Sequence, residues 1–200
     1  MFFNNSNNDI YFLSSDQNNG NQIYVLENGN TIPHKTDFDA HEVSKIAIDK
    51  NDNIYYASRN NDINEHIYII KHNEKCSEKI GTIPYGLVNI IMLDSENNIF
   101  VGTTFYTYIF NLGENIIKRI DRLNEISFIV FDQENNAYFT NYQSNNIYTL
   151  SKNQIAKQIP IAKKIVELET NKKISSVTFN RNNIYFCAND ICYSDIYKLV

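Results

Sequence analysis

The chain contains few of the residues that usually interrupt secondary structure or cross-link a protein. Its 200 residues include 6 glycines, 3 prolines, 3 cysteines and no tryptophan. Cys76, Cys187 and Cys192 form no CxxC spacing, which argues against a disulfide framework or a zinc site and favours a reducing compartment. No apolar stretch approaches about 18 residues, and no secretory leader is visible at the N-terminus, so no membrane span is predicted. We therefore expect a cytoplasmic protein without a membrane partner.

Positive charge is also scarce. The 18 Lys and Arg residues are scattered and are outnumbered by 23 Asp and Glu, which gives a net charge of −5 at pH 7. Nucleic-acid binding usually needs a basic stripe, so the composition argues against that class of partner. The sequence also has no G-x-S-x-G, HExxH, P-loop or Rossmann glycine pattern. We predict a non-enzymatic protein with no catalytic residues, no resident metal and no cofactor.

Asparagine and apolar residues are abundant. We count 32 asparagines, mostly between apolar runs, while 42% of the residues are hydrophobic and 13% aromatic. Asparagine tolerates left-handed turns and hydrogen-bonds to nearby backbone, so it can replace the scarce glycine and proline in loops. The apolar content excludes a disordered chain and suffices for one domain with a buried core.

One phrase recurs five times along the chain. An apolar triplet ends in Asp or Asn, a polar turn and an Ile-Tyr pair follow, and Ile-Tyr-x-Leu comes about a dozen residues later. The Asp or Asn recurs at Asn4, Asp49, Asp94, Asp132 and Asn180. The period of about 40 residues is that of a four-stranded propeller blade. The repeat predicts an all-β fold, a small propeller of five blades.

The apolar runs are short, β-branched and aromatic, which indicates strands rather than helices. We predict strand A at 1–3, 45–48, 89–93, 127–131 and 175–179; strand B at 9–13, 53–57, 98–102, 136–140 and 183–187; strand C at 22–26, 66–70, 107–112, 146–150 and 195–199; and strand D at 30–33, 78–83, 115–120 and 154–159. The last blade is predicted to have three strands. Residues 161–173 could form a turn of helix or an extra strand.

These strands predict a single domain over residues 1–200. Its blades are expected at about 1–42, 43–86, 87–125, 126–173 and 174–200.

The runs 46–58, 91–103 and 129–141 resemble the repeat core of NHL repeats, two-component-regulator sensor propellers and gluconolactonase-like propellers. The resemblance covers nearly the whole chain at the level of the blade and implies a β-propeller fold. These families include protein-binding, RNA-binding, sensory and hydrolytic members, so the resemblance leaves the function open.

The predicted A–B turns contain acidic strings that begin at Asp49, Asp94 and Asp132. Clustered oxygens could bind calcium, but no glycine or bidentate glutamate stands where an EF-hand loop needs it. We interpret the strings as hairpins in which the first Asp or Asn caps the turn and the later Asn takes positive φ. The recurrent tyrosines are interpreted as blade core, with hydroxyls that reach a partner at the rim.

The predicted binding surface lies where the B–C and D–A connections emerge together at one end of the blades. The first D–A connection holds two histidines and three carboxylates within nine residues, a composition that could supply an acid–base pair or metal ligands. Other loops at this end add Tyr and Arg, which are frequent interface anchors. The candidate residues are His34, Asp37, Asp39, His41, Glu42, Arg59, Asp62, Tyr106, Tyr142, Asp190 and Tyr193.

We therefore predict a binding or scaffolding module that engages a protein or peptide through this surface. One alternative is a lectin-like propeller that binds sugars, although the loops differ from one another and tryptophan is absent. The other is a metal-dependent lactonase or hydrolase of gluconolactonase-like type. For that enzyme, candidates such as Glu42, Asn89 and Asn141 would have to converge in the channel.

Overall fold

A computed structural model describes residues 2–3, 6–16, 20–59, 64–112, 116–141, 145–169, 173–180, 183–189 and 194–199. These residues form 19 strands and a single helix of 4 residues, α1 (Lys152–Ile155). No helix among them is long and apolar enough to cross a membrane. The predicted all-β class is confirmed.

The strands group into consecutive antiparallel sheets in chain order, so each sheet is a meander with strands A to D. Sheet 1 has β1 (Phe2–Phe3), β2 (Ile10–Asp16), β3 (Gly20–Leu26) and β4 (His34–Lys35). Sheet 2 has β5 (Val43–Ile48), β6 (Ile54–Ser58), β7 (His66–Ile70) and β8 (Glu78–Thr82). Sheet 3 has β9 (Val88–Leu93), β10 (Ile99–Thr103), β11 (Thr107–Asn111) and β12 (Ile116–Ile120).

Sheet 4 has β13 (Ile126–Phe131), β14 (Ala137–Asn141), β15 (Asn146–Leu150) and β16 (Lys163–Glu167). Sheet 5, as far as its residues are described, has β17 (Lys173–Asn180), β18 (Asn183–Asn189) and β19 (Ser194–Leu199). The number of blades in the fold and their boundaries remain predictions.

Neighbouring sheets pack face to face, and their first strands, such as β5, β9, β13 and β17, contact one another in turn. An apolar cluster fills the space between each sheet and the next. The middle sheets are therefore covered on both faces, which is why β6 and β10 are buried at every position. Tyr55, Phe100 and Phe139 are the largest fully buried side chains.

Two predicted D strands were wrong. Residues 30–33 do not pair; Gly29, with φ of 84°, lies in the turn after β3, and Pro33 has no N–H for a ladder. Pairing begins only at His34. Residues 154–159 do not form a strand either, because the turn of helix α1 begins at Lys152 and Pro160 follows. The outer strand of sheet 4 is β16, so the connection 161–173 supplies a strand.

The register of strand C in sheet 3 also differs from the sequence alignment of the repeats. Alignment of the Ile-Tyr-x-Leu motifs matches Ile109 and Phe110 with Ile67 and Tyr68. The structure instead pairs Val101 with Tyr108, as it pairs Tyr56 with Tyr68. Tyr108 therefore takes the position of Tyr68. A shift of two residues keeps every side chain on the same face of the sheet, so the hydrophobic pattern cannot reveal it.

Candidate functional site

The A–B hairpins use their acidic residues internally. Asp49 Oδ1 accepts hydrogen bonds from the backbone N–H groups of Asn51 and Asn53, both at 2.9 Å, and its Oδ2 accepts one from Asn53 Nδ2 at 2.8 Å. Asp94 and Asp132 make the same set of bonds. The fourth residue of each turn has positive φ, with values of 65° at Asp52, 63° at Asn97 and 66° at Asn135. The predicted capping by the first Asp is confirmed, and so is positive φ at an Asn in the hairpins of Asp94 and Asp132. In the hairpin of Asp49 the residue with positive φ is Asp52 rather than an Asn, since both side chains tolerate this conformation.

The recurrent tyrosines belong to the core and reach the hairpins with their hydroxyls. Tyr55 donates to Asp49 Oδ2 at 3.3 Å, and Tyr138 donates to Asp132 Oδ2 at 3.1 Å. Burial, followed by the nearby carboxylate, raises the pKa of both phenols above the usual range. These tyrosines therefore stabilise the blade and present no stacking surface.

The segment from His34 to Glu42 does not gather its polar groups at one point. His34 Nε2 lies 3.9 Å from Glu27 Oε1, beside the turn after β3. Asp37 pairs with Lys75 in the turn between β7 and β8, and the hydrogen bond from this lysine lowers the pKa of the Asp37 carboxyl. The two candidates His34 and Asp37 therefore lie at C–D turns, away from the predicted surface.

Only the end of this segment, His41 and Glu42, lies at the predicted surface, because the backbone of Asp39 is hydrogen-bonded to Lys75 and Ser77 in the C–D turn of sheet 2. His41 Nε2 is 3.5 Å from Asp39 Oδ1, and Glu42 lies beside Gly20 in the hairpin between β2 and β3. The segment therefore spans sheet 2 from the C–D turns to the B–C end. Within the described ranges, no three His, Cys, Asp or Glu side chains are grouped so that they could hold a metal.

The remaining candidates divide into two groups. Arg59 is exposed at the end of β6, and Tyr106 lies in the loop before β11. Asp62, Tyr142, Asp190 and Tyr193 lie outside the described residues, so their placement stays a prediction.

Tyr106 belongs to a pair of loops that are hydrogen-bonded to each other. The D–A loop at 83–87 meets the B–C loop at 104–106: Thr104 N–H donates to Leu87 O at 3.0 Å, and Leu87 N–H donates to Thr104 Oγ1 at 3.2 Å. Thr103 Oγ1 accepts from the N–H groups of Phe105 and Tyr106. The B–C loop is therefore stabilised by its own hydrogen bonds and by those to the D–A loop.

Gly86 permits this close approach. Its φ is 88°, and a Cβ there would lie 2.8 Å from Thr104 Oγ1. Only glycine combines that backbone conformation with the available space.

The two loops display an apolar surface that we call the aromatic loop patch, consisting of Tyr85, Leu87, Phe105 and Tyr106. Tyr85 is 67% exposed and Phe105 60% exposed, while Leu87 is also exposed. The Tyr106 ring meets the Tyr85 ring edge to face at 6.4 Å, and the Arg119 guanidinium carbon lies 4.9 Å from the Tyr106 centroid. Packing thus fixes one tyrosine while its neighbours remain open to solvent.

Sequence reasoning identified Tyr106 but missed Tyr85, Leu87 and Phe105. Their signal was available, because apolar residues occupy turn segments between strands, where polar residues are expected. What the sequence could not show is that loops about 20 residues apart meet.

A ring of bulges occupies the same end of the first strands. The A–B pairing shifts register around Ser44, Asn89 and Ser127, each of which is the extra residue of its bulge. Glu42 and Glu125, which precede β5 and β13, have φ of 50° and 48°. Asn89, Glu125 and Ser127 line an open cavity of about 440 Å³. Two of the residues proposed for a lactonase, Glu42 and Asn89, thus lie near this ring.

Asn141, the third of these residues, pairs with Ile126 beside the bulge at Ser127, and its side chain is hydrogen-bonded to Asn124. Its Nδ2 donates to the backbone O of Asn124 at 2.7 Å and lies 3.0 Å from Asn124 Oδ1.

No protein-family model matches the sequence, and no curated protein matches it. Solved structures do match its fold. Virginiamycin B lyase from Staphylococcus aureus aligns over 100% of this chain and 65% of its own, with a TM-score of 0.69 and 15% identity. A putative TolB from Agrobacterium tumefaciens aligns over 99% of this chain and 74% of its own, with a TM-score of 0.67 and 10% identity.

A nidogen/laminin complex aligns over 78% of this chain and 57% of the matched chain, with a TM-score of 0.59 and 15% identity. The chain therefore spans less than two thirds of the length of this protein and of the lyase. Identities this low bear on the fold alone. Together with the consecutive antiparallel sheets, these structural matches show that the chain is a β-propeller repeat protein.

Proposed function

We propose that the protein is a non-enzymatic binding module that engages a protein or peptide through the end bearing the B–C and D–A loops. The observation that carries the proposal is the aromatic loop patch. Its loops are hydrogen-bonded to each other, so a partner would not have to order them on binding. Tyrosine and phenylalanine on a rigid base are typical interface anchors.

The energetics of the patch suit an interface. Fully burying an exposed Tyr85 or Phe105 side chain would contribute on the order of 2 kcal/mol each by the transfer of apolar area from water. Exposed carboxylates at the same end, including Glu42 and Glu125, provide an acidic rim. One structure with a similar fold is a complex of nidogen with laminin, which supports a protein partner for this fold.

A peptide selection tests the proposal directly. Peptides selected from a phage-displayed library on the wild-type protein should lose at least about tenfold in affinity for a Tyr85→Ser/Phe105→Ser double variant, because one lost anchor is worth about 1.4 kcal/mol or more. A matched control is Ile32→Ser, which removes a side chain that is 78% exposed at the C–D turn of sheet 1. Equal binding to all three proteins would refute the assignment of the surface.

The lectin and the metal-dependent hydrolase remain alternatives with distinct requirements. A hydrolase that uses the bulge ring would need a divalent ion, and an ion at a hundred times its Kd raises stability by about 2.7 kcal/mol. Thermal unfolding with EDTA, Ca²⁺, Mg²⁺, Mn²⁺ or Zn²⁺ would reveal such a rise, whereas a glycan array tests the lectin. The proposed binding module requires neither response.

A further inference from the structure

A second cavity lies at the opposite end of the strands, where sheets 1 and 2 meet among their A–B and C–D turns. Its volume is about 270 Å³, which is small for a ligand pocket and suits a headgroup rather than a whole cofactor. Tyr11 and Phe38 form part of its wall, with ring centroids 6.5 Å apart and planes 17° from parallel. The cavity therefore combines an aromatic wall with polar turns.

Asp52 lines this cavity, and its unpaired carboxylate indicates that a ligand binds there. It is only 8% exposed, and its Oδ1 is buried without a hydrogen-bond partner. Its Oδ2 lies 4.0 Å from His72 Nδ1, which is beyond hydrogen-bond distance. A buried carboxylate with an unsatisfied oxygen destabilises the folded protein unless a donor reaches it.

The matching hairpins show that this position does not need a carboxylate for folding. Asn97 and Asn135 occupy it in sheets 3 and 4 with nearly the same φ. Asn135 uses its amide to join two hairpins, since Nδ2 donates to Asp94 Oδ2 and Oδ1 accepts from Ser95 N–H. Aspartate cannot donate in this way. The carboxylate of Asp52 is therefore a feature of this hairpin alone among the three.

The lysines near the cavity are already engaged with other carboxylates. Lys71 Nζ donates to Glu78 Oε2 at 2.9 Å, and Lys75 donates to Asp37. Neither of these bonds involves Asp52. The charges on the cavity wall, three carboxylates against two lysines, sum to −1 when His72 is neutral. A positively charged ligand is thus the complementary one.

We propose that this cavity binds an organic cation, namely a guanidinium or primary ammonium headgroup, which donates to the Asp52 carboxylate. The faces of Tyr11 and Phe38 would flank the charge, since aromatic rings attract cations through their negative faces. Such a headgroup occurs both in free amines and in the Arg or Lys side chains of a peptide. The site is separate from the aromatic loop patch and does not depend on it.

Calorimetric titration with L-argininamide at low salt tests this site. Wild-type protein should bind the probe saturably, and Asp52→Asn should weaken binding at least tenfold. The Asn variant should fold, because asparagine takes the same conformation at 97 and 135, and its thermal midpoint should be no lower than that of the wild type. Asp121→Asn, which changes an exposed carboxylate elsewhere, is the matched control and should bind like the wild type.

Two further probes sharpen the result. Citrullinamide lacks the guanidinium charge but keeps an α-ammonium group, so its Nα-acetylated form is the neutral analogue of nearly the same shape and should not bind. A blocked Gly-Arg-Gly peptide that binds as well as argininamide would indicate a chain-borne headgroup, and binding of argininamide alone would indicate a free amine. No saturable binding of argininamide, or equal binding by Asp52→Asn, would overturn the proposal.

Discussion

Replacing Asn135 with glycine should loosen the contact between sheets 3 and 4. This side chain is 4% exposed, and its two hydrogen bonds to the hairpin of sheet 3, to Asp94 Oδ2 and from Ser95 N–H, are both 3.0 Å long. Glycine accepts the φ of 66°, so the backbone need not change. A neutral hydrogen bond is worth about 1 kcal/mol and one to a carboxylate about 2, so we expect a loss of about 3 kcal/mol.

Asn97→Gly is the matched control for this experiment. Asn97 occupies the same place in its hairpin, with φ of 63°, yet in the structure its side chain makes no hydrogen bond to sheet 2. Its replacement should therefore cost less than about 1 kcal/mol, which is the usual effect of glycine on backbone entropy.

Thermal unfolding followed by circular dichroism measures both variants. For a protein of this size, each kcal/mol lowers Tm by about 2–4 °C, so Asn135→Gly should lower it by about 6–12 °C. A double-mutant cycle with Asp94→Ala isolates the bond between the two side chains. Equal midpoints for the two glycine variants would refute the idea that this asparagine fastens one sheet to the next.

Three other outcomes follow from packing and burial. Gly81→Ala would place a Cβ 2.8 Å from Phe110 Cδ1, so urea unfolding should show a loss of about 2 kcal/mol that Phe110→Leu partly restores; failure of that rescue would contradict the clash. Tyr138→Phe removes the hydroxyl bond to Asp132 and should cost about 1 kcal/mol in the same assay, and an unchanged midpoint would show that the bond contributes nothing. Burial raises the pKa of Tyr56 to about 12, so the folded protein keeps a proton that the unfolded chain loses above pH 10.0. The stability that protonated Tyr56 contributes should therefore be fully present below pH 10 and be lost between pH 10 and 12. Urea midpoints measured across this range would show the fall, and a flat profile would contradict it.

The predicted strands A and B agree with the structure because apolar side chains from both of their faces pack against neighbouring sheets, most completely in β6 and β10, which are buried at every position. Such strands need continuous apolar runs, and the hairpins between them need a capping Asp and a residue that tolerates positive φ. Asp94 and Asn97 show both requirements within four residues. Outer strands are weaker signals: β4 and β16 have exposed residues, so their composition did not distinguish them from nearby turns.

The candidate site was predicted only in part. His34 and His41 are near in sequence, but an extended segment advances about 3.3 Å per residue, which separates them by most of a strand's length. Tyr106 was identified from its residue type and loop. Its neighbour Tyr85 was not, because their contact depends on hydrogen bonds between two loops that the sequence does not link.

The sequence by itself determined the strand chemistry and the hairpin turns, since each depends on residues within about a dozen positions of one another. It also showed the repeat, because the same pattern recurs at intervals of about 40 residues. Only the tertiary structure decided which side chains from different sheets meet. The aromatic loop patch and the unsatisfied carboxylate of Asp52 both arise where one sheet lies against the next. The distances between side chains of different sheets depend on how the sheets stack, and the hydrophobic pattern along the chain does not specify them.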